Sequence, residues 1–162
     1  MKRRLALGLL PAALAVAAAG CGTGSYSSTT GSSSARPAAA PPAAKVGTGR
    51  TKLGTVLVDG KGRTLYLFEK DKGAASSCYG ACASVWPPLT SVKGVAAGGL
   101  PAAKLGATKR TDGKTEVTYA GHPLYTYAGD AKAGQTRGQG LDQFGAEWYV
   151  LAPSGHKIDS DS

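Results

Sequence analysis

Apolar positions along this chain form one long run and then a series of short ones. The long run, Leu5 to Ala19, is interrupted only by Gly8 and Pro11. From Gly22 to Arg50 apolar bulk almost vanishes and Gly, Ser, Thr, Ala and Pro dominate. Short β-branched and aromatic stretches then alternate with turn residues, which is the pattern of strands and hairpins. Gly54-Thr55-Val56-Leu57-Val58, the turn Asp59-Gly60-Lys61-Gly62 and the return Thr64 to Phe68 predict one hairpin. Leu105 to Arg110, with the turn Thr111-Asp112-Gly113-Lys114, predicts a further strand leading into Thr115 to Tyr119. Ala120-Gly121-His122 is the next bend, Pro123 to Tyr127 the next return, and Glu147 to Leu151 a closing strand.

Two of these segments are near copies. Leu65-Tyr66-Leu67-Phe68-Glu69-Lys70-Asp71 is repeated as Leu124-Tyr125-Thr126-Tyr127-Ala128-Gly129-Asp130, 59 positions later. Trp86 and Trp148 follow, 62 positions apart. In an extended strand Tyr66 and Phe68 share a face, as do Tyr125 and Tyr127. One hairpin with one tryptophan has no way to bury its own apolar face, so the copies are expected to complete a single body about a pseudo-twofold axis. The prediction is a mostly β, single small domain over residues 51–156, with repeat 1 at 54–89, repeat 2 at 111–152, one short helix around 76–85 and a frayed tail at 157–162.

The N-terminal run has the features of an export signal over residues 1–20: Lys2-Arg3-Arg4 first, an apolar stretch too short to span a bilayer, and small residues Ala18-Ala19-Gly20 before Cys21. The Ala-Ala-Gly-Cys junction resembles the lipobox of bacterial lipoproteins, with Ala18 where that motif commonly has leucine. The resemblance implies cleavage before Cys21, a diacylglyceryl group on its sulfur and attachment to the outer side of the cell membrane, two acyl chains being enough for stable anchorage. Residues 21–50 then read as the lipidated cysteine and a disordered tether, spanning on the order of 30 Å.

Charge changes the picture little. The chain carries 19 Lys and Arg against 10 Asp and Glu. Without Lys2, Arg3 and Arg4 the balance is 16 against 10, or +6. The positives are scattered rather than arranged in a stripe, which argues against nucleic acid as a partner and for solubility and attraction to anionic envelope polymers.

The paired Tyr-x-aromatic-x-x-Asp stretches, Ser77-Cys78-Tyr79-Gly80-Ala81-Cys82-Ala83 leading into Trp86-Pro87-Pro88-Leu89, and Trp148-Tyr149 after a glycine-rich loop are similar to a bacterial family of secreted repeats of unknown function found in predicted lipoproteins. The resemblance covers about residues 54–152. It implies an envelope location and a duplication, and names no reaction.

Candidate chemistry is sparse. With Cys21 lipidated, Cys78 and Cys82 are an even pair in an exported chain, which reads as a disulfide. Helical residues four apart hold their Cβ atoms about 5–6 Å from each other, wider than a bridge accepts, so the pair needs a bent or terminal turn that Gly80 permits. The small loop contributes about 2 kcal/mol. A structural bridge, a thiol redox pair and metal or haem ligation are all compatible with the spacing. His122 and His156 stand at no metal-ligand spacing, so no metal or cofactor is expected. Asp71 and Asp130 read either as turn and helix-start acceptors or as carboxylates paired across the pseudo-twofold axis. Tyr66, Phe68, Tyr125 and Tyr127 read either as core or, with those aspartates, as a ligand surface. No hydrolase signature or phosphate loop is present, Gly138-Gln139-Gly140 lacking the strand-turn-helix setting. The functional expectation is a non-enzymatic envelope module that binds a polymer or protein, with a redox or metal-handling role for Cys78 and Cys82 as the alternative.

Overall fold

The computed structural model of the protein describes residues 43–159. The expected signal peptide, Cys21 and most of the expected tether lie outside the described residues, as do residues 160–162 of the tail; the frayed reading of the tail is corrected at its start, where Lys157 pairs with Leu151 and Ile158 N–H donates to Val150 O at 2.9 Å. In chain order the elements are β1 (Ala44–Thr51), β2 (Gly54–Asp59), β3 (Tyr66–Phe68), the helix α1 (Ala81–Val85), β4 (Val95–Gly98), a 3₁₀ turn (Ala102–Lys104), β5 (Leu105–Lys109), β6 (Thr115–Tyr119), β7 (His122–Pro123), β8 (Leu141–Gln143) and β9 (Ala146–Val150). They make three small sheets, ordered β2-β1-β4, β3-β9-β8 and β5-β6-β7. The fold is mostly β with one short helix, as the pattern predicts.

The expected tether boundary at residue 50 is corrected, because β1 occupies Ala44–Thr51 and pairs with β2 from Val46↔Asp59 to Thr51↔Gly54. Its composition hides it. Val46 is its one fully buried apolar residue, and Gly49 is there for space: a Cβ at that position would lie 2.8 Å from Val58 Cγ1. The other edge of β1 takes β4 in parallel, from Ala44↔Val95 to Gly47↔Gly98.

The predicted hairpins open early. Asp59 Oδ1 accepts the Lys61 and Arg63 amides and shapes the first turn. The return strand stays with β2 only at Val58↔Thr64 and through Leu65 N–H to Leu57 O at 2.9 Å. It then leaves to pair with β9, Tyr66 opposite Val150. In the second copy β7 covers only His122 and Pro123, and the chain crosses to repeat 1.

The crossing is reciprocal. Tyr66 N–H donates to Tyr125 O at 2.9 Å and Tyr125 N–H to Tyr66 O at 3.0 Å, so the two copies meet on one bonded pair. Leu57 N–H donates to Leu151 O, and its counterpart Val117 N–H to Leu89 O, both at 2.8 Å. The end of each repeat therefore completes the strands of the other.

Strands buried on both faces explain the continuous apolar runs. Leu57, Leu65 and Leu67 face one cluster with Val46, Val117, Tyr119, Leu124 and Leu151. Val56, Val58, Tyr66 and Phe68 alternate with them and face a second cluster containing Trp86, Tyr125, Trp148 and the two cysteines.

Candidate functional site

Of the six residues read either as core or as a ligand surface, four belong to the interior. Tyr66 and Tyr125 are fully buried, Phe68 and Asp130 nearly so, and Asp71 and Tyr127 are half-buried. Each aspartate takes the tyrosine of the other copy. The Tyr66 hydroxyl donates to Asp130 Oδ2 at 2.6 Å, and the Tyr125 hydroxyl to Asp71 Oδ2 at 2.8 Å. The remaining oxygens take backbone amides, Ser77 on Asp71 and Arg137 on Asp130. Burial pushes both phenols well above the ordinary tyrosine range, with Asp130 adding to the effect at Tyr66 and Glu116 adding to it at Tyr125. Burial also raises Asp71, against the bonds from Ser77 and Tyr125.

The aromatics of both copies share one ladder. Phe68 stacks on Trp148 at 4.0 Å, Trp148 on Trp86 at 3.9 Å, and Trp86 meets Tyr127 at 4.4 Å. Tyr66 stands edge-on to Trp86 and Tyr125 edge-on to Trp148, at 5.3 and 5.1 Å. Each buried indole removes roughly 200 Å² from water, about 5 kcal/mol of transfer free energy. The motif is thus a device for joining two copies.

Cys78 and Cys82 are bonded, with Cα atoms 5.3 Å apart. The bridge joins the lead-in to the first turn of α1, with Gly80 at φ 56° between, as its spacing requires. Beneath it lies a charge pair that the sequence reading missed. Arg110 Nη1 donates to Glu116 Oε2 at 2.7 Å, and both side chains are fully buried. The guanidinium also donates to Ser76 Oγ and Cys78 O, each at 2.6 Å, and lies 4.3 Å below the Tyr79 ring. Glu116 Oε1 has no hydrogen-bond partner. Burial pushes Glu116 up to about 7, against the pull of Arg110. By strand register Glu116 occupies the place of Val56 in the first copy: Glu116 lies opposite Thr108 and Val56 opposite Gly49. A charged residue where its repeat has valine was the signal available.

Surface features lie elsewhere. A cleft of about 350 Å³ is lined by Lys52, Gly134, Gln135, Thr136 and Arg137. Its loop is fastened to repeat 1 by Gly134 N–H to Gly62 O and by Thr64 Oγ1, which donates to Gln135 O at 2.6 Å, and to its own repeat by Arg137 N–H to Asp130 Oδ1. The Lys52 ammonium and the Arg137 guanidinium have no carboxylate partner among the described residues, and no carboxylate lines the cleft. A second, apolar groove of about 440 Å³ runs between Gly94, Val95 and Ala97 on one side and Ala102, Leu105, Gly106 and Ala107 on the other. His122 is half-buried in β7 and His156 is exposed. Among the described residues no three His, Cys, Asp or Glu side chains gather at metal-binding distance, and no helix is long and apolar enough to cross a membrane.

No curated protein and no solved structure matches the chain. A family model described as a secreted repeat of unknown function matches twice, at residues 47–90 and 106–152. These segments begin within β1 and β5, earlier than the repeat starts expected at 54 and 111, and they contain the exchanged Tyr-Asp pairs, both tryptophans, Cys78 and Cys82. Since the two matches together span more than half of the chain and coincide with the two interlocked copies, the chain belongs to this family of secreted repeats.

Proposed function

We propose that the protein is a lipid-anchored extracytoplasmic module that binds an anionic polymer of the cell envelope without turning it over. Cys21 carries the diacylglyceryl anchor and the Lys52–Arg137 cleft holds the polymer. One observation carries the ligand: Lys52 and Arg137, two cations without acidic partners among the described residues, line a cleft free of carboxylates. A guanidinium takes a phosphate or carboxylate bidentately, while an ammonium adds a point charge. Each contact is weak in salt, so a polymer that engages many anchored copies is the ligand such a site suits.

The test is titration of the full-length chain in neutral detergent micelles with inorganic polyphosphate. Binding is expected to weaken steeply with salt, and Lys52→Ala with Arg137→Ala to lower affinity about tenfold or more, while Lys157→Ala leaves it unchanged. Equal affinity in the double variant rejects the cleft. For the anchor, Cys21→Ser is expected to move the protein from the membrane fraction to the soluble one.

The alternative role for Cys78 and Cys82 gains no support. Cys78 is fully buried and Cys82 is 6% exposed, so the bonded sulfurs offer no thiolate to a metal or haem and little access to an attacking thiol.

A further inference from the structure

The apolar groove lies between two strand edges that pair with no further strand among the described residues. β4 pairs only with β1, and β5 only with β6. The bonds Arg110 N–H to Lys114 O and Ala120 N–H to Lys104 O fix the phase of the β5–β6 ladder. Gly106 and Thr108 exchange bonds with β6, so Leu105, Ala107 and Lys109 turn their N–H and C=O groups away from it. Leu105 N–H closes the 3₁₀ turn on Ala102 O, while Ala107 and Lys109 have no backbone partner among the described residues. Exposed edges are ordinarily blunted with charge, proline or bulges. Here Val-Ala-Ala-Gly in β4 has no such device, and Leu-Gly-Ala-Thr-Lys in β5 has only its terminal lysine.

We propose that this groove is a docking site for an extended peptide segment of a partner protein, one with small apolar side chains flanked by carboxylates, which adds as a strand to the β5 edge. Small lining residues let a backbone approach, and main-chain bonds supply the affinity. Val92, two positions before Gly94 in the chain, is 79% exposed. Charge selects the occupant. Lys93 and Lys109 flank the groove without a carboxylate partner among the described residues, whereas Lys104 is engaged by the Ser154 carbonyl. A second copy of this chain would bring its own Lys109 to the same edge and, without Lys2, Arg3 and Arg4, a net charge of +6, which disfavours edge-to-edge pairing. Residues 91–105, which supply most of the groove, lie between the two family matches, so the site belongs to the connection and not to the repeats. It is independent of the cationic cleft.

The experiment is an amide chemical-shift titration of the full-length chain in micelles with a synthetic peptide, Glu-Ala-Val-Ala-Val-Ala-Glu. Shifts are expected at Val95, Ala97, Leu105, Ala107 and Lys109. The same peptide N-methylated at alternate amides, or flanked by lysine, should bind about tenfold more weakly. Ala107→Pro removes an outward N–H without touching the ladder to β6, and should weaken binding at least about fivefold with the remaining spectrum intact. Equal binding of the N-methylated peptide, or shifts confined to the Lys52–Arg137 cleft, overturns the proposal. So does sedimentation of the free chain as a dimer that Ala107→Pro dissociates, which makes a second copy the occupant. Contacts between the groove and residues N-terminal to Ala44 in the free chain would overturn it likewise.

Discussion

Glu116 should make the fold less stable as the solution turns from acid to neutral, the reverse of ordinary acid denaturation. Its carboxyl is fully buried with one oxygen unpaired, and burial raises its pKa from 4.5 to about 7 in spite of Arg110. In the unfolded chain the value returns to the ordinary one. Between the two, the folded state holds a proton that the unfolded state has released, so this contribution is complete below the unfolded pKa and is lost as pH rises through about 7. A gap of roughly 2.5 pH units, at about 1.4 kcal/mol each, amounts to roughly 3 kcal/mol. Asp71, also raised by burial, leans the same way, while exposed Asp112, lowered in spite of desolvation by its bonds from Lys114 and Arg110, leans the other. Urea unfolding followed by tryptophan fluorescence at about pH 4 and about pH 8 reads the difference as a fall of about 2 M in the midpoint. Glu116→Gln keeps an acceptor for Arg110 and removes the titrating proton, so its midpoint should change far less with pH. A Gln variant that keeps the native slope, or a native midpoint that rises over this range, would refute the assignment.

Four further outcomes follow from the same geometry. Tyr66→Phe and Tyr125→Phe should each cost about 1–3 kcal/mol in urea unfolding. In double-mutant cycles Tyr66→Phe should couple to Asp130→Asn and add independently with Asp71→Asn, since the pairs cross between copies. Gly138→Ala places a Cβ 2.6 Å from the Trp86 ring and should cost about 1–3 kcal/mol while weakening the exciton-coupled circular dichroism of the Trp86–Trp148 stack. Cys78→Ser should cost about 2 kcal/mol, and in the native protein thiol titration under reductant should detect the pair only where urea unfolds the chain. Neither repeat expressed alone should give a dispersed amide spectrum, because each lacks the strand end that the other supplies.

What the sequence discloses depends on how local the cause is. The runs Val56 to Val58 and Leu65 to Phe68 announce strands because both faces are buried and every position is apolar. The cysteine pair is legible because four positions and one glycine suffice to close it. β1 is hidden because close packing demanded Gly49, a residue that reads as tether. The roles of Asp71 and Asp130 are hidden for the opposite reason. Each bonds a tyrosine more than 50 positions away, and at short range an aspartate after a strand looks like a turn. Arg110 and Glu116 read as solvated charges until the fold places the disulfide loop over them.

Repetition and recognition are therefore separable in this chain. Positions that recur, the Tyr-Asp exchange and the two tryptophans, are used in holding the copies together. A twofold body built only of such positions would present identical faces. This one does not: Glu116 replaces the equivalent of Val56, the loop bearing Arg137 sits against the turn of the other copy, and residues 91–105 build an open groove on one side alone. Specificity in a duplicated fold has to reside where the copies differ, since a contact shared by both halves cannot tell one face from the other. The cationic cleft and the β5 edge are two such differences on the surface. They can be altered by Arg137→Ala and Ala107→Pro without disturbing the aromatic ladder, because neither side chain enters it.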